Sequence, residues 1–164
     1  MITGTEFRRL REEIGMTQQD VASFIGCGLR SVKYWEAGKS RIPERVFDRL
    51  EQIDAALKVY AARLLEAYTD QTTALCIGGP EALPEVALIV YDDADADMVD
   101  WSLPFPTHSA AVFKAFRLFA QNGITARIVK MDRDAYAAFL SGRPDTQAER
   151  SAWAALQTEK DKAG

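Results

Sequence analysis

Histidine is nearly absent from this chain: His108 is the only one in 164 residues. A catalytic triad built on histidine, or a metal site with several imidazole ligands, has almost nothing to draw on. Cysteine is scarce too. Cys27 and Cys76 are too few for a disulfide framework, and no Cys/His set has zinc spacing. No run approaches the roughly 18 uncharged apolar residues of a membrane span. The opening MITGTEFRRL has no apolar core behind its charges, so the expected compartment is the cytoplasm. There is no Gly-rich phosphate loop and no nucleophile constellation. The expectation is a protein that is not an enzyme and carries no metal or cofactor.

What is present is ample apolar material, 48% of residues, enough for one ordinary domain or two small ones. The net charge of −4 is unevenly spread. Residues 1–50 hold nine Lys and Arg against seven Asp and Glu, a net of +2, and the remainder holds eleven against seventeen, a net of −6. A local basic face bears on binding to anionic partners more than the overall balance does.

The first 65 residues are helical in pattern. Phe7, Leu10 and Ile14 recur at helical spacing, with Arg8, Arg9, Glu12 and Glu13 opposite. Gly15 closes this helix. Thr17 then stands as an N-cap, with Asp20 three positions on as an acidic form of the capping box. Val21, Ala22 and Ile25 make the inner face of a second short helix, and Ala22 is small enough for a close helix approach. Gly26, Cys27 and Gly28 form a turn, and a third helix spans about Leu29 to Glu36, stopped by Gly38. Two short helices joined by a glycine turn are a helix-turn-helix. On the third helix Val32 and Trp35 point inward. Arg30, Lys33 and Tyr34, at i, i+3 and i+4, share the outward face, flanked by Leu29 and Ser31. The start of such a helix enters the major groove. Arg30 has the fork to bond guanine N7 and O6 together. Lys33 suits a base or a phosphate, and Tyr34 a phosphate or a thymine methyl. Arg30, Ser31, Lys33 and Tyr34 are therefore the expected base-reading set. Cys27 reads as a packing residue.

FRRLREEIGMTQQDVASFIG followed by CGLRSVKYWEAGKSRIP resembles the Cro/repressor-like (XRE-type) regulators over residues 6–53. The resemblance implies that Gln18 bonds phosphate and props the third helix. It implies phosphate contacts at Thr17, Gln18, Gly28, Lys39, Ser40 and Arg41, and a structural pair, Arg11 with Glu36, bridging the first helix to the end of the third. The shorter run RSVKYWEAGKSRIPERV is similar to the anti-CRISPR-associated (Aca) repressors and their YdiL-like relatives, autorepressors of phage or mobile-element operons with a C-terminal dimerisation domain.

Pro43 suits the first turn of a fourth helix. Val46, Leu50, Ile53, Leu57, Tyr60 and Leu64 follow at spacings of 4, 3, 4, 3 and 4, a heptad seam. Two readings stay open. Either the first half closes the DNA-binding core and the second packs on the next domain, or the helix pairs two subunits. A break near Asp54 would separate the halves.

The rest of the chain is expected to be a small α/β domain, giving an α+β fold of β-α-β-α order after the helical unit. Its bounds are a helix-turn-helix domain at 1–68, a Gly/Pro linker at 69–84, the α/β domain at 85–142 and a partly frayed helical tail at 143–164. The strands are Val86–Tyr91 and Ile124–Met131. One helix runs from Thr107 or Ser109 to Asn122, with Val112, Phe113, Phe116 and Phe119 inward. Asp132 caps another, carrying Tyr136, Phe139 and Leu140. Two strands make a poor sheet, so a third near 74–77, or pairing across a dimer, would complete it. Asp93, Asp95 and Asp97 copy the first ligands of a calcium loop, but Met98 and Pro104 replace the required glycine and glutamate, so the run reads as solvated loop. Trp101, Pro104 and Pro106 anchor that loop. His108 reads as a surface or capping residue. Trp153 and Leu156 fit one amphipathic turn, with Glu159–Gly164 frayed.

The functional expectation is a repressor that binds an inverted-repeat DNA operator as a homodimer. Leu57, Tyr60, Leu64, Leu88 and Val90 are candidates for the dimer contact. The alternative is an antitoxin-type regulator that also binds a toxin; RNA as a further partner is left open, and no membrane partner is expected.

Overall fold

The first two helices start where a side chain can stand in for the missing intrahelical acceptors. The computed structural model describes residues 2–75 and 85–163. Helix α1 spans Gly4–Glu13. Its start is a full capping box, with the Thr3 amide donating to the Glu6 carboxylate at 2.7 Å and the Glu6 amide to the Thr3 hydroxyl at 3.2 Å. Helix α2, Gln18–Ile25, opens the same way on Thr17 and Asp20 and closes at Gly26, whose φ of +75° is the left-handed region that suits glycine. Helix α3, Leu29–Glu36, follows Gly28 with no side-chain cap. Phe7, Ile14, Val21, Val32, Trp35, Val46 and Leu50 fill one core, with Phe7 and Trp35 edge to face at 5.9 Å. Cys27 packs on that core, half-buried.

Helix α4 runs unbroken from Glu44 to Leu75, about 48 Å at 1.5 Å per residue. It does not break at Asp54. That carboxylate is buried and meets Lys58 at 2.6 Å and Lys114 at 2.9 Å. Burial alone would raise its pKa, but the two ammonium groups hold it below the ordinary carboxylate value. The helix enters the stretch read as a linker, and Ala74 and Leu75, suggested as the start of a third strand, are helical. Residues 76–84, with Cys76, Ile77, Gly78, Gly79, Pro80 and Pro84, lie outside the described residues.

Beyond them come strand β1 (Val86–Val90), a 3-10 helix (Asp93–Met98), helix α5 (Thr107–Gln121), strand β2 (Ala126–Lys130), and helices α6 (Arg133–Leu140) and α7 (Gln147–Ala163). The strands pair in parallel, Val86 opposite Ala126 through Val90 opposite Lys130. Among the described residues the sheet has only these two. It persists because both faces are covered. Leu88 packs with Val112, Ala115 and Phe119 of α5 and Ala61 of α4. Tyr91, Val129 and Met131 pack with Tyr136 of α6 and Trp153 of α7.

The tail expected to be helical contains a 17-residue helix, longer than the one turn read around Trp153 and Leu156 and held by Trp153 at 2% exposure. Phe113, expected inward, is 52% exposed, because α5 turns Val112 and Ala115 to the core instead. The aspartate run is mostly exposed, as expected, but Asp93–Met98 form a 3-10 helix and part of the run is paired. Asp95 is buried and accepts from Arg133 at 2.7 Å, Asp97 also bonds Arg133, and Asp92 meets Lys130 at 3.1 Å.

The seam residues of α4 make contacts within the chain. Leu57 is fully buried in the helix-turn-helix core, Tyr60 stands edge-on to Trp101 at 5.2 Å, and Leu64 packs with the α5 cluster. Leu88 is buried, and Val90 lies half-buried against the same cluster. Of the five residues expected at a dimer contact, Leu57 and Leu88 are buried within one chain, and Tyr60, Leu64 and Val90 are half-buried against it. Helix α5 also reaches the N-terminal core directly. Ala111 belongs to it, and a Cβ on Gly15 would sit 2.9 Å from the Pro106 carbonyl oxygen.

His108, expected at the surface, is 1% exposed. Tyr91 and Trp101 stand edge-on to its ring, Phe105 stacks on it, and Nδ1 has no hydrogen-bond partner. Burial disfavours its charged form and lowers its pKa. The unfolded chain takes up that proton near pH 6.5, the folded chain only at lower pH. Its contribution to stability is therefore complete above about pH 6.5 and declines as pH falls below it. In urea titrations from pH 7.5 to 5.5 the midpoint should drop on the acid side, and His108→Leu should flatten that drop. A variant as acid-sensitive as the parent would take His108 out of this account.

Candidate nucleic-acid interface

An eight-residue helix has little contact area to fix its rotation, so what holds α3 decides which side chains face outward. Val32 and Trp35 are buried on one side. At the C-terminal end the Glu36 carboxylate accepts from Arg11 Nε at 2.6 Å and from Gln18 Nε2 at 2.7 Å. Arg11 also donates to the Met16 carbonyl at 2.8 Å. The Arg11 and Glu36 side chains are 10% and 8% exposed, so this is a buried, fully bonded pair. One carboxylate thereby ties α1, α2 and α3 together. Gln18, expected to serve phosphate and the third helix together, has its amide nitrogen on Glu36.

A second contact went unread in the sequence. Gly4 begins α1 against the end of α3, where a Cβ would lie 2.4 Å from the Trp35 carbonyl oxygen and 2.5 Å from that of Glu36. The signal was a glycine just inside a helix start, where propensity gives it no reason to be. Ala22, 2% exposed, allows α2 its place in the same core.

With the helix so held, Arg30 and Lys33 are exposed, and Ser31 and Tyr34 half-buried. They share the outward side of α3. Arg30 Nε donates to the Tyr34 hydroxyl at 2.8 Å, and the guanidinium lies 5.0 Å from the ring centre. Lys39 Nζ lies 5.8 Å from the same ring. Tyr34 is thus a platform between two cations, its hydroxyl oxygen accepting from Arg30 while its O–H remains able to donate to a phosphate. Lys39, Ser40 and Arg41 are exposed on the connection to α4, and Gly28 is exposed at the head of α3 with open space around it.

The start of α2 is more engaged than expected. The amide and hydroxyl of Thr17 both donate to Asp20 at 2.7 Å. That leaves the first-turn amides of Gln18 and Gln19 without an intrahelical acceptor. Glu12, Met16, Thr17, Gln18, Gln19, Leu29 and Lys33 are among the residues that line a shallow, open depression there, and free amides at a helix start are groups that a phosphate can use. Two further exposed cations, Arg45 and Arg49, stand on the first turns of α4, with Arg49 4.3 Å over the Phe24 ring; the sequence reading did not single them out.

Residues 3–68 match a family model described as a helix-turn-helix domain. The N-terminal unit is thus similar to a helix-turn-helix domain. A domain of this kind points to DNA-binding regulation. The chain has no match among curated proteins. Among the described residues no group of His, Cys, Asp and Glu is placed to hold a metal ion, and no helix is long and apolar enough to cross a membrane.

Two substitutions probe how the domain aims α3. Arg11→Met strands the Glu36 carboxylate and should cost about 3–5 kcal/mol, read as a lowered urea midpoint. Gly4→Ala forces a methyl group into two backbone oxygens and should cost about 1–3 kcal/mol. A Gly4→Ala protein with the parent midpoint would show that α1 and α3 do not meet there.

Proposed function

We propose that the protein is a sequence-specific transcriptional repressor that binds an inverted-repeat operator as a homodimer. The observation that carries this is the outward face of α3. Two cations and an aromatic ring stand on the side opposite buried Val32 and Trp35, at the point where a helix-turn-helix meets the major groove. A merely solvated face would have no use for an aromatic ring clamped between Arg30 and Lys39.

In this reading Arg30 swings its fork from the Tyr34 hydroxyl to a guanine edge, and Lys33 and Ser31 read beside it. Lys39, Ser40, Arg41 and Gly28, with the first turn of α2, take phosphate and set the register. Two recognition helices about 34 Å apart would meet successive major grooves, and occupancy would exclude polymerase. The protein performs no catalysis in this reading. The pairing surface is assigned to apolar side chains left outside the single chain, among them Val59, Phe113, Ile128 and Leu156. The run RSVKYWEAGKSRIPERV supports the narrower proposal of an Aca-like or YdiL-like autorepressor in a phage or mobile-element operon.

Fluorescence anisotropy on the protein's own upstream DNA tests this. Arg30→Ala should weaken binding by about 1–3 kcal/mol and relax discrimination at one base position per half-site. Lys39→Ala should weaken all sequences alike and reduce the slope of log K against log salt by about 1. A protein that is monomeric by light scattering and shows no preference for that DNA would sink the proposal.

A further inference from the structure

A cavity of about 390 Å³ lies between the second half of α4, β1, α5 and the start of α7. That volume falls within the range of small-molecule sites, roughly 300–1,000 Å³. Its walls are mainly apolar and aromatic, Leu88, Val112, Phe119, Tyr60 and Tyr91 among them, with the exposed Gln147 and Ser151 at the rim. Rings in such walls favour a flat occupant that can stack or stand edge-on.

The polar groups narrow the chemistry. The cation on the wall, Arg150, is already satisfied, donating to both carboxylate oxygens of Asp145 and to the Met98 carbonyl and interacting with the Tyr91 hydroxyl. Asp100 adds a negative charge to the same wall. An anion would find no free counter-charge there and would lose its hydration. Tyr60 differs. Its ring is held edge-on by Trp101, burial raises its hydroxyl pKa above the ordinary value, and no group among the described residues hydrogen-bonds that hydroxyl. A half-buried donor without a partner is worth satisfying.

We propose that this cavity binds a small, neutral, planar and mostly apolar molecule carrying one hydrogen-bond acceptor, which takes the Tyr60 hydroxyl. The site rests on the packing of α4, α5, α7 and the sheet, and stands whether or not the protein is a repressor. An occupant would touch the same unbroken helix that, one turn earlier, puts Leu57 into the helix-turn-helix core.

The test uses the full-length protein and two probes of one shape, 2-acetylnaphthalene and 2-naphthoate, followed by amide chemical shifts and thermal melting. The neutral ketone should bind saturably, shift amides around residues 60–68, 86–91 and 147–151, and raise the melting temperature. The carboxylate should bind at least tenfold more weakly. Tyr60→Phe should weaken the ketone about five- to tenfold without unfolding the protein. Ala67→Trp, at an exposed position on the cavity rim, should abolish binding while the ligand-free melt stays unchanged. Failure of the ketone to bind saturably, equal affinity for the two probes, or ketone binding indifferent to both substitutions would each overturn the assignment.

Discussion

The buried carboxylate of Glu36 is the constraint on which the N-terminal architecture turns. An α-helix advances 100° per residue, so turning α3 by one residue's worth would present a different set of side chains outward. Hydrophobic contacts from Val32 and Trp35 are non-directional and tolerate some slippage. The bonds from Arg11 and Gln18 are directional and come from two different helices. They fix the angle at one end of α3 while the glycine turn leaves the other end free to approach a groove. The close contact at Gly4 reinforces that end, because it admits no side chain between α1 and the last carbonyls of α3. Arg30 and Lys33 face outward as a result of where Glu36 is held.

A second anchor extends this order beyond the motif. Asp54 sits on α4 where a break was expected, and its pairing with Lys58 and Lys114 holds α4 and α5 together. A buried carboxylate between two ammonium groups keeps its charge, so the cross-helix tie survives the loss of water. With α4 continuous, the helix that closes the DNA-binding core also forms a wall of the cavity against the sheet.

The legible parts of this sequence were those whose partners are close along the chain. Thr17 with Asp20 is an i, i+3 pair, and α2 and α3 end on glycine turns, so their limits could be read directly. Thr3 with Glu6 carries the same local pattern and was overlooked only because the apolar periodicity begins later, at Phe7. The pairing of Arg30 with Tyr34 was visible as a shared face but not as a hydrogen bond. Most of the other unread features depend on distant residues. Asp95 looked solvated until Arg133, 38 positions away, came beside it. His108 looked like a surface residue because nothing nearby in the chain announces an aromatic cage formed by Tyr91, Trp101 and Phe105. Helix α5 is apolar on most sides, so its periodicity could not tell Val112 from Phe113. The heptad spacing in α4 was real, but spacing does not say whether the facing helix belongs to the same chain.

The approach of Pro106 to Gly15 has a consequence for how such a protein can be taken apart. Many regulators are assembled by recombination, one reading head exchanged for another across a tolerant joint. Here the contact falls on the α1–α2 turn of the reading head itself, at a glycine with φ of +77° where an added methyl would meet backbone. Ala111 lies inside the same core. Cutting after residue 68 would strip that surface, and grafting a foreign head would need a turn of matching shape and an equally small residue. The two halves of this chain are therefore expected to have changed together, as matched parts rather than interchangeable modules.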